Sequence, residues 1–179
     1  VDVVDLIMDD HREVERLFDE LKNQPHKRPL LTPVLCSLLV AHSRAEEAEV
    51  YPVAKSDADE TDEVEHSQQE HAEAEQLLVE LAKTDTESAE YEKVLGKVID
   101  SVTHHVKEEE SKLLPGMRSR LDAPRRAQLG EAFVTSRAKH LGDMPGHATR
   151  EELLQQARNA GISGASSMNR DQLAKALQS

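Results

Sequence analysis

The chain has 179 residues, of which 37% are hydrophobic, 32% charged and only 2% aromatic, with no tryptophan, so a single aliphatic core plus a small appendage is the most it can bury. Its net charge of −13 sets the body of the molecule against nucleic acid and anionic membrane surfaces. One cysteine, Cys36, excludes an internal disulfide, and no run approaches transmembrane length.

The opening stretch VDVVDLIMDDH carries acids where a secretory signal needs basic residues, so a cytoplasmic location is expected. Val4, Ile7, His11, Val14, Phe18 and Leu21 form the stripe of a first amphipathic helix, which must end before Pro25. Thr32-Pro33 reads as an N-cap with proline at the first helical position, opening a second helix limited by Pro52. That helix turns Leu35, Leu39, His42, Glu46 and Val50 inward. The acidic stretch SDADETDE (56–63) reads as a solvated loop grading into the next helix. A third helix follows with Val64, His71, Ala74, Leu78 and Leu81 on its stripe. A fourth carries Leu95, Val98, Val102, His105, Glu109 and Leu113 and stops near Pro115-Gly116.

These four segments and their connections predict an all-α, up-down four-helix bundle. A fifth helix is expected across 123–141, with Leu129 and Phe133 packing back on the bundle. GDMPGHA (142–148) has the composition of a linker, and two short helices around a Gly/Ser-rich turn should follow it. Each has a capping box, Thr149 with Glu152 and Asn169 with Gln172. The domains expected are therefore 1–141 and 148–179.

The sequence repeats itself. DHREVERLFDEL (10–21) aligns with EHAEAEQLLVEL (70–81), and HSRAEEAEVYP (42–52) with HVKEEESKLLP (105–115). The unit is a helical hairpin carrying H…HxxxE, used twice, which gives the bundle a pseudo-two-fold axis. Residues four apart on a helix project about 40° from each other and ~6 Å apart along the axis, so His42 and Glu46 point inward together, as do His105 and Glu109. His11 and His71 each interrupt an apolar stripe at mid-helix.

A buried carboxylate with no partner costs several kcal/mol, roughly, even after relaxation. Four imidazoles and two carboxylates at one level are tolerable if cations neutralise them. A nitrogen and carboxylate set without thiolate suits iron, manganese or zinc. Six ligands exceed one tetrahedral zinc. If both carboxylates bridge, each of two metals receives two His nitrogens and two carboxylate oxygens. An oxo or hydroxo bridge adds a fifth ligand, leaving one octahedral position for a diatomic or peroxide.

DH (10–11), HSRAEE…YP (42–52), EH (70–71) and HVKEEE…LLP (105–115) together resemble the hemerythrin-like, or HHE cation-binding, family. The resemblance implies a non-haem centre of two iron ions held by His11, His42, Glu46, His71, His105 and Glu109. It also implies chemistry with dioxygen, nitric oxide or peroxide. Oxygen-carrying members have a histidine pair four apart on the third helix. Here Ser67 stands four before His71, and His66 lies on another face, so reversible oxygen carriage is disfavoured against peroxidase- or catalase-like redox chemistry. The alternative is a sensor or binding module that signals through the C-terminal motif.

Tyr51 has Leu114 as its counterpart in the second repeat. It could curl inward as a phenolate ligand or hydrogen-bond donor, although helical angle alone points it away. Glu47, Glu108 and Glu110 lie off the stripe and read as solvated, His104 as a surface residue or one standing just behind the ligands. EELLQQARNAGISGASSMNRDQLAKAL resembles the helix-extended-helix motif at the N-terminus of Rho termination factor. The four basic against three acidic residues of 148–179, without aromatics, make nucleic-acid binding through that segment a weak prospect.

Overall fold

The computed structural model describes residues 1–179 and is helical throughout, without a strand. Helix α1 spans Val3–Asn23, capped by the Asp2 side chain on the Val4 amide. Helix α2 spans Arg28–Ala45 and runs through a π-helical turn, Glu46–Val50, into α3, Tyr51–Asp57. Helix α4 is Thr61–Lys83. Helix α5 is Ala89–Glu108, and it too passes through a π-helical turn, Glu109–Leu113, into α6, Leu114–Arg120. Helix α7 is Ala123–His140 and packs against α1 and α2. The short helices α8, Arg150–Asn159, and α9, Arg170–Leu177, flank a 3-10 turn. No helix is long and apolar enough to cross a membrane.

Two expectations about helix ends are corrected. Helix α2 begins at Arg28, a turn before Thr32-Pro33, because Pro29 already supplies the proline of its first turn. Pro33 sits inside the helix, and the Thr32 hydroxyl contacts the Tyr91 hydroxyl at 2.6 Å instead of capping. Nor do Pro52 and Pro115 stop their helices. Proline cannot bond the carbonyl four residues back, and its ring crowds that carbonyl. The chain widens by one residue just before each proline, so that the Tyr51 amide bonds Glu46 O and the Leu114 amide bonds Glu109 O, five residues back. Helix then continues for another two turns.

The acidic stretch is mostly helical rather than loop. Only Ala58–Glu60 lies between α3 and α4, with Asp59 in the left-handed region at φ 55°. Buried Glu60 is held there by Arg120.

Two apolar clusters of 15 buried residues each divide the bundle lengthwise. One gathers Val3, Ile7, Val50, Tyr51, Leu113, Met117 and Phe133. The other gathers Val14, Phe18, Leu35, Leu81, Tyr91 and Val98. Between them lies a polar layer containing His11, His42, Glu46, His71, His105 and Glu109, all buried. A third, smaller cluster, including Leu153, Ala157 and Leu173, belongs to α8 and α9, and both predicted capping boxes are formed.

Candidate metal centre

Each bundle helix delivers one histidine to the polar layer, and each Nδ1 meets a carboxylate. His42 Nδ1 lies 2.8 Å from Asp10, His71 Nδ1 3.0 Å from Glu47, His105 Nδ1 3.2 Å from Glu70 and His11 Nδ1 2.9 Å from Glu110. Ionised carboxylates only accept, so each Nδ1 carries hydrogen, and the second lone pair, on Nε2, is turned to the bundle axis. The pattern keeps the pseudo-two-fold axis. Asp10 and Glu70, each preceding a histidine of the layer, serve the other histidine of their own hairpin. Glu47 and Glu110, each following a glutamate of the layer, reach across to the opposite hairpin.

The two central carboxylates join the histidine pairs. Glu46 Oε1 is 2.9 Å from His42 Nε2 and 3.3 Å from His71 Nε2. Glu109 Oε1 is 3.2 Å from His11 Nε2, while its Oε2 is 3.4 Å from His105 Nε2. Donor atoms therefore fall into two groups. Glu46, His71, His105 and Glu109 form one, and His11, His42 and Glu109 the other. This is a cluster geometrically able to hold two metal ions.

The donor set passes an independent test. His11 Nε2, His42 Nε2, both Glu46 oxygens and Glu109 Oε1 are buried and, close as they stand to one another, none is in a hydrogen bond of normal geometry. Leaving one such group unpaired costs about 1–3 kcal/mol, more if charged, so five in one layer point to cations as their missing partners. Four nitrogens and two carboxylates without sulfur fit iron, manganese or zinc.

Without an ion, protons must balance the carboxylates. Burial alone would favour neutral imidazoles, yet the Glu46 charge and the Asp10 bond push His42 up to about 10. Glu109 and Glu70 likewise outweigh burial at His105 and push it up to about 10. His71 is raised as well, with burial overcome by Glu46 and Glu47. Burial opposes ionisation of Glu109, but His105 and His11 hold it well below the usual carboxylate range.

Tyr51 enters this layer. Its buried hydroxyl donates to Glu109 Oε2 at 3.0 Å and lies 3.1 Å from His71 Nε2. The extra residue of the π-helical turn rotates it inward from where regular helical geometry would leave it. Burial and the charges of Glu109 and Glu46 push its phenol well above its usual range, so it stays protonated. The matching turn in the other hairpin presents Leu114, which has no hydroxyl.

Two further expectations are revised. Glu47 is buried and Glu110 is only partly exposed, and both bond layer histidines rather than facing solvent alone. Their signal was in the repeat, since Glu-Glu pairs fall at matched positions 46–47 and 109–110. Glu108 does face outward, paired with Lys112. His66 is 53% exposed in its side chain and does not join the six, and Ser67, four residues before His71, is buried.

The fifth helix supports the layer from outside. Phe133 meets His42 edge-on at 5.7 Å between ring centres, and Arg137 pairs with Asp10 behind His42.

The family description "Hemerythrin HHE cation binding domain" matches residues 2–116, which contain the whole layer and both π-helical turns. The chain belongs to the hemerythrin family. Among curated proteins, the chain is similar to one named DNA nickase from Nostoc sp. (strain PCC 7120 / SAG 25.82 / UTEX 2576), with 30% identity over 151 residues. The match covers 83% of the chain but 43% of the relative, so the chain spans less than half of that protein's length. No solved structure gives a significant match.

Proposed function

We propose that the polar layer binds two irons, which His11, His42, Glu46, His71, His105 and Glu109 would hold. The activity that fits best is redox chemistry on peroxide, nitric oxide or both, as a peroxidase- or catalase-like oxidoreductase. A pair of irons supplies one-electron changes in oxidation state and open coordination for a small ligand.

The chain's own residues supply the rest. The carboxylates behind the histidines fix each ring and raise its basicity. The two flanking apolar clusters keep bulk water away. Tyr51 offers a protonated hydroxyl inside the layer, where a proton is consumed when peroxide is reduced. That hydroxyl, lodged between His71 and Glu109, is the observation that carries this reading over oxygen carriage. A crevice of about 20 Å³ between α2 and α4, lined by Ser43, Glu47, His71 and Val102 among others, has room for one water-sized molecule beside the layer.

The test is iron content together with the absorption spectrum before and after peroxide, with and without nitric oxide. Two irons per chain and turnover that falls in Tyr51→Phe are expected. Zinc alone, or no metal after reconstitution with ferrous iron, would overturn the proposal.

A second reading has its own support. In it, the same centre acts as a sensor, and residues 148–179 form a separate module like the helix-extended-helix motif, beside a bundle domain of 1–141. Gln156 Nε2 donates to Glu47 at 3.0 Å, and Asn159 Nδ2 to the Glu47 carbonyl at 2.8 Å, so α8 touches the carboxylate behind His71. Partner binding by 148–179 without turnover in any form would favour it.

The relative's name suggests DNA as a partner, but the charge opposes that. Arg150 and Arg170, half of the basic residues in 148–179, donate to main-chain carbonyls of that unit and of Gly146 just before it rather than standing free for phosphates.

A further inference from the structure

The HxxxE spacing that serves the central layer is also present at His66–Glu70 on α4. It lies one residue out of step with the His71 stripe, so its histidine faces solvent while Glu70 stays buried. His66 Nε2 is 3.6 Å from Glu70 Oε2, and His104 Nε2, from the neighbouring α5, is 3.2 Å from the same oxygen. Ligand atoms of His66, Glu70 and His104 all lie within 4.8 Å of one another. The other Glu70 oxygen is committed to His105 Nδ1 at 3.2 Å, which fixes the carboxylate's orientation from behind.

We propose that His66, Glu70 and His104 form a third, solvent-facing site for a late first-row divalent cation such as zinc, cobalt(II) or ferrous iron. Atoms bound ~2.1 Å from such an ion stand ~3.0–3.4 Å apart in octahedral or tetrahedral arrangements, close to the two distances above. Two imidazoles and one carboxylate, with the remaining positions open to water, select this class over magnesium or calcium. A groove of about 240 Å³ adjoins the site and is lined by His66 together with Asp62, Glu63 and Glu108. Its carboxylates draw cations towards the two imidazoles. Lys112, the one basic group lining it, is paired with Glu108 at 2.7 Å.

Glu70 is shared. One oxygen serves the outer site and the other holds a histidine of the central layer, so the two are a single carboxylate apart. The two outer histidines can be replaced without touching the centre, because neither His66 nor His104 belongs to the central six.

The experiment is a cobalt(II) titration of the full-length chain with its centre already loaded with iron, followed by the ligand-field absorption of the added ion. One additional cobalt per chain is expected. His66→Ala and His104→Ala should each weaken that ion by about tenfold or more while the iron and its absorption stay in place. Binding of equal strength in both variants, or no added ion up to millimolar cobalt, overturns the proposal. If the centre accepts no iron, the titration is run on the metal-free chain. There, a cobalt lost on both substitutions still supports the outer site even though the di-iron reading has failed.

Discussion

Four histidines, each backed by a carboxylate, turn a layer of polar side chains into a set of aimed lone pairs. Asp10 shows how this works at the scale of one residue. One oxygen bonds His42 Nδ1 and the other pairs with Arg137 of α7, so the ring is fixed from two elements beyond its own. Asp10→Asn keeps the shape but loses the charge, and it should weaken metal binding by about 10–100-fold without unfolding the chain. Competition with a chelator measures this, and an unchanged affinity would remove the supporting role. The protonation pattern gives a second expectation for the metal-free protein. His42 and His105, raised from 6.5 to about 10, contribute stability that is complete below pH 6.5 and lost as pH rises through about 10. Glu109, depressed from 4.5, contributes stability that is present above pH 4.5 and lost on acidification. Metal-free protein should thus be most stable between about pH 4.5 and 6.5, while metal affinity climbs from pH 6.5 towards 10 as fewer protons need displacing. Urea unfolding against pH tests the first part. Stability of the metal-free form that increases from pH 6.5 to 10 would contradict it.

Among the elements, the helices of the bundle were legible because their apolar stripes recur at 3.6-residue spacing, and the repeat showed which of them are equivalent. Leu129 and Phe133 on α7 were enough to place the fifth helix against the bundle. What the pattern hid were the two π-helical turns. Proline reads as a stop, and nothing local distinguishes a proline that ends a helix from one that is absorbed by widening the turn before it. The inward face of Tyr51 was hidden for the same reason, since a one-residue insertion rotates everything after it by about 100°. Glu47 was misread because its helical position is off the apolar stripe, and the partners that bury it, Gln68 and Gln156, come from elsewhere in the chain. Deleting Ala48 tests the turn directly. It should restore regular helix while leaving Tyr51, then four residues after Glu46, still facing Glu109 and His71. Pro52 would then meet the carbonyl four residues back without the wide turn to accommodate it, at a cost of about 3 kcal/mol, read as a lower denaturant midpoint. A deletion variant in which Tyr51 leaves the layer would show that the widened turn does not act by absorbing one residue.

Across the whole molecule, the C-terminal unit is fastened at the point where the bundle is most sensitive. The Glu47 carboxylate holds His71 Nδ1 while accepting from Gln68 at 3.2 Å and from Gln156 of α8 at 3.0 Å, with buried Arg44 at 3.3 Å. Lys55 of α3 bonds the Arg158 and Asn159 carbonyls at the end of α8, fixing the other side of the same contact. An appendage needing only to be tethered could have rested on apolar surface; this one places two buried amides, Gln156 and Asn159, on one residue of the layer's support. Removing the Gln156 amide in the full chain leaves Glu47 with its other donors, so the stability cost should be modest, about 1 kcal/mol. The effect on the imidazole should be selective. In Gln156→Ala the Nδ1–H proton resonance of His71 should move, because the carboxylate it bonds has lost a donor. That of His11, whose partner Glu110 does not contact α8, should stay. Equal movement of both resonances would mean that the substitution merely loosens the bundle. No movement of the His71 resonance would mean that α8 rests beside the layer without being coupled to it.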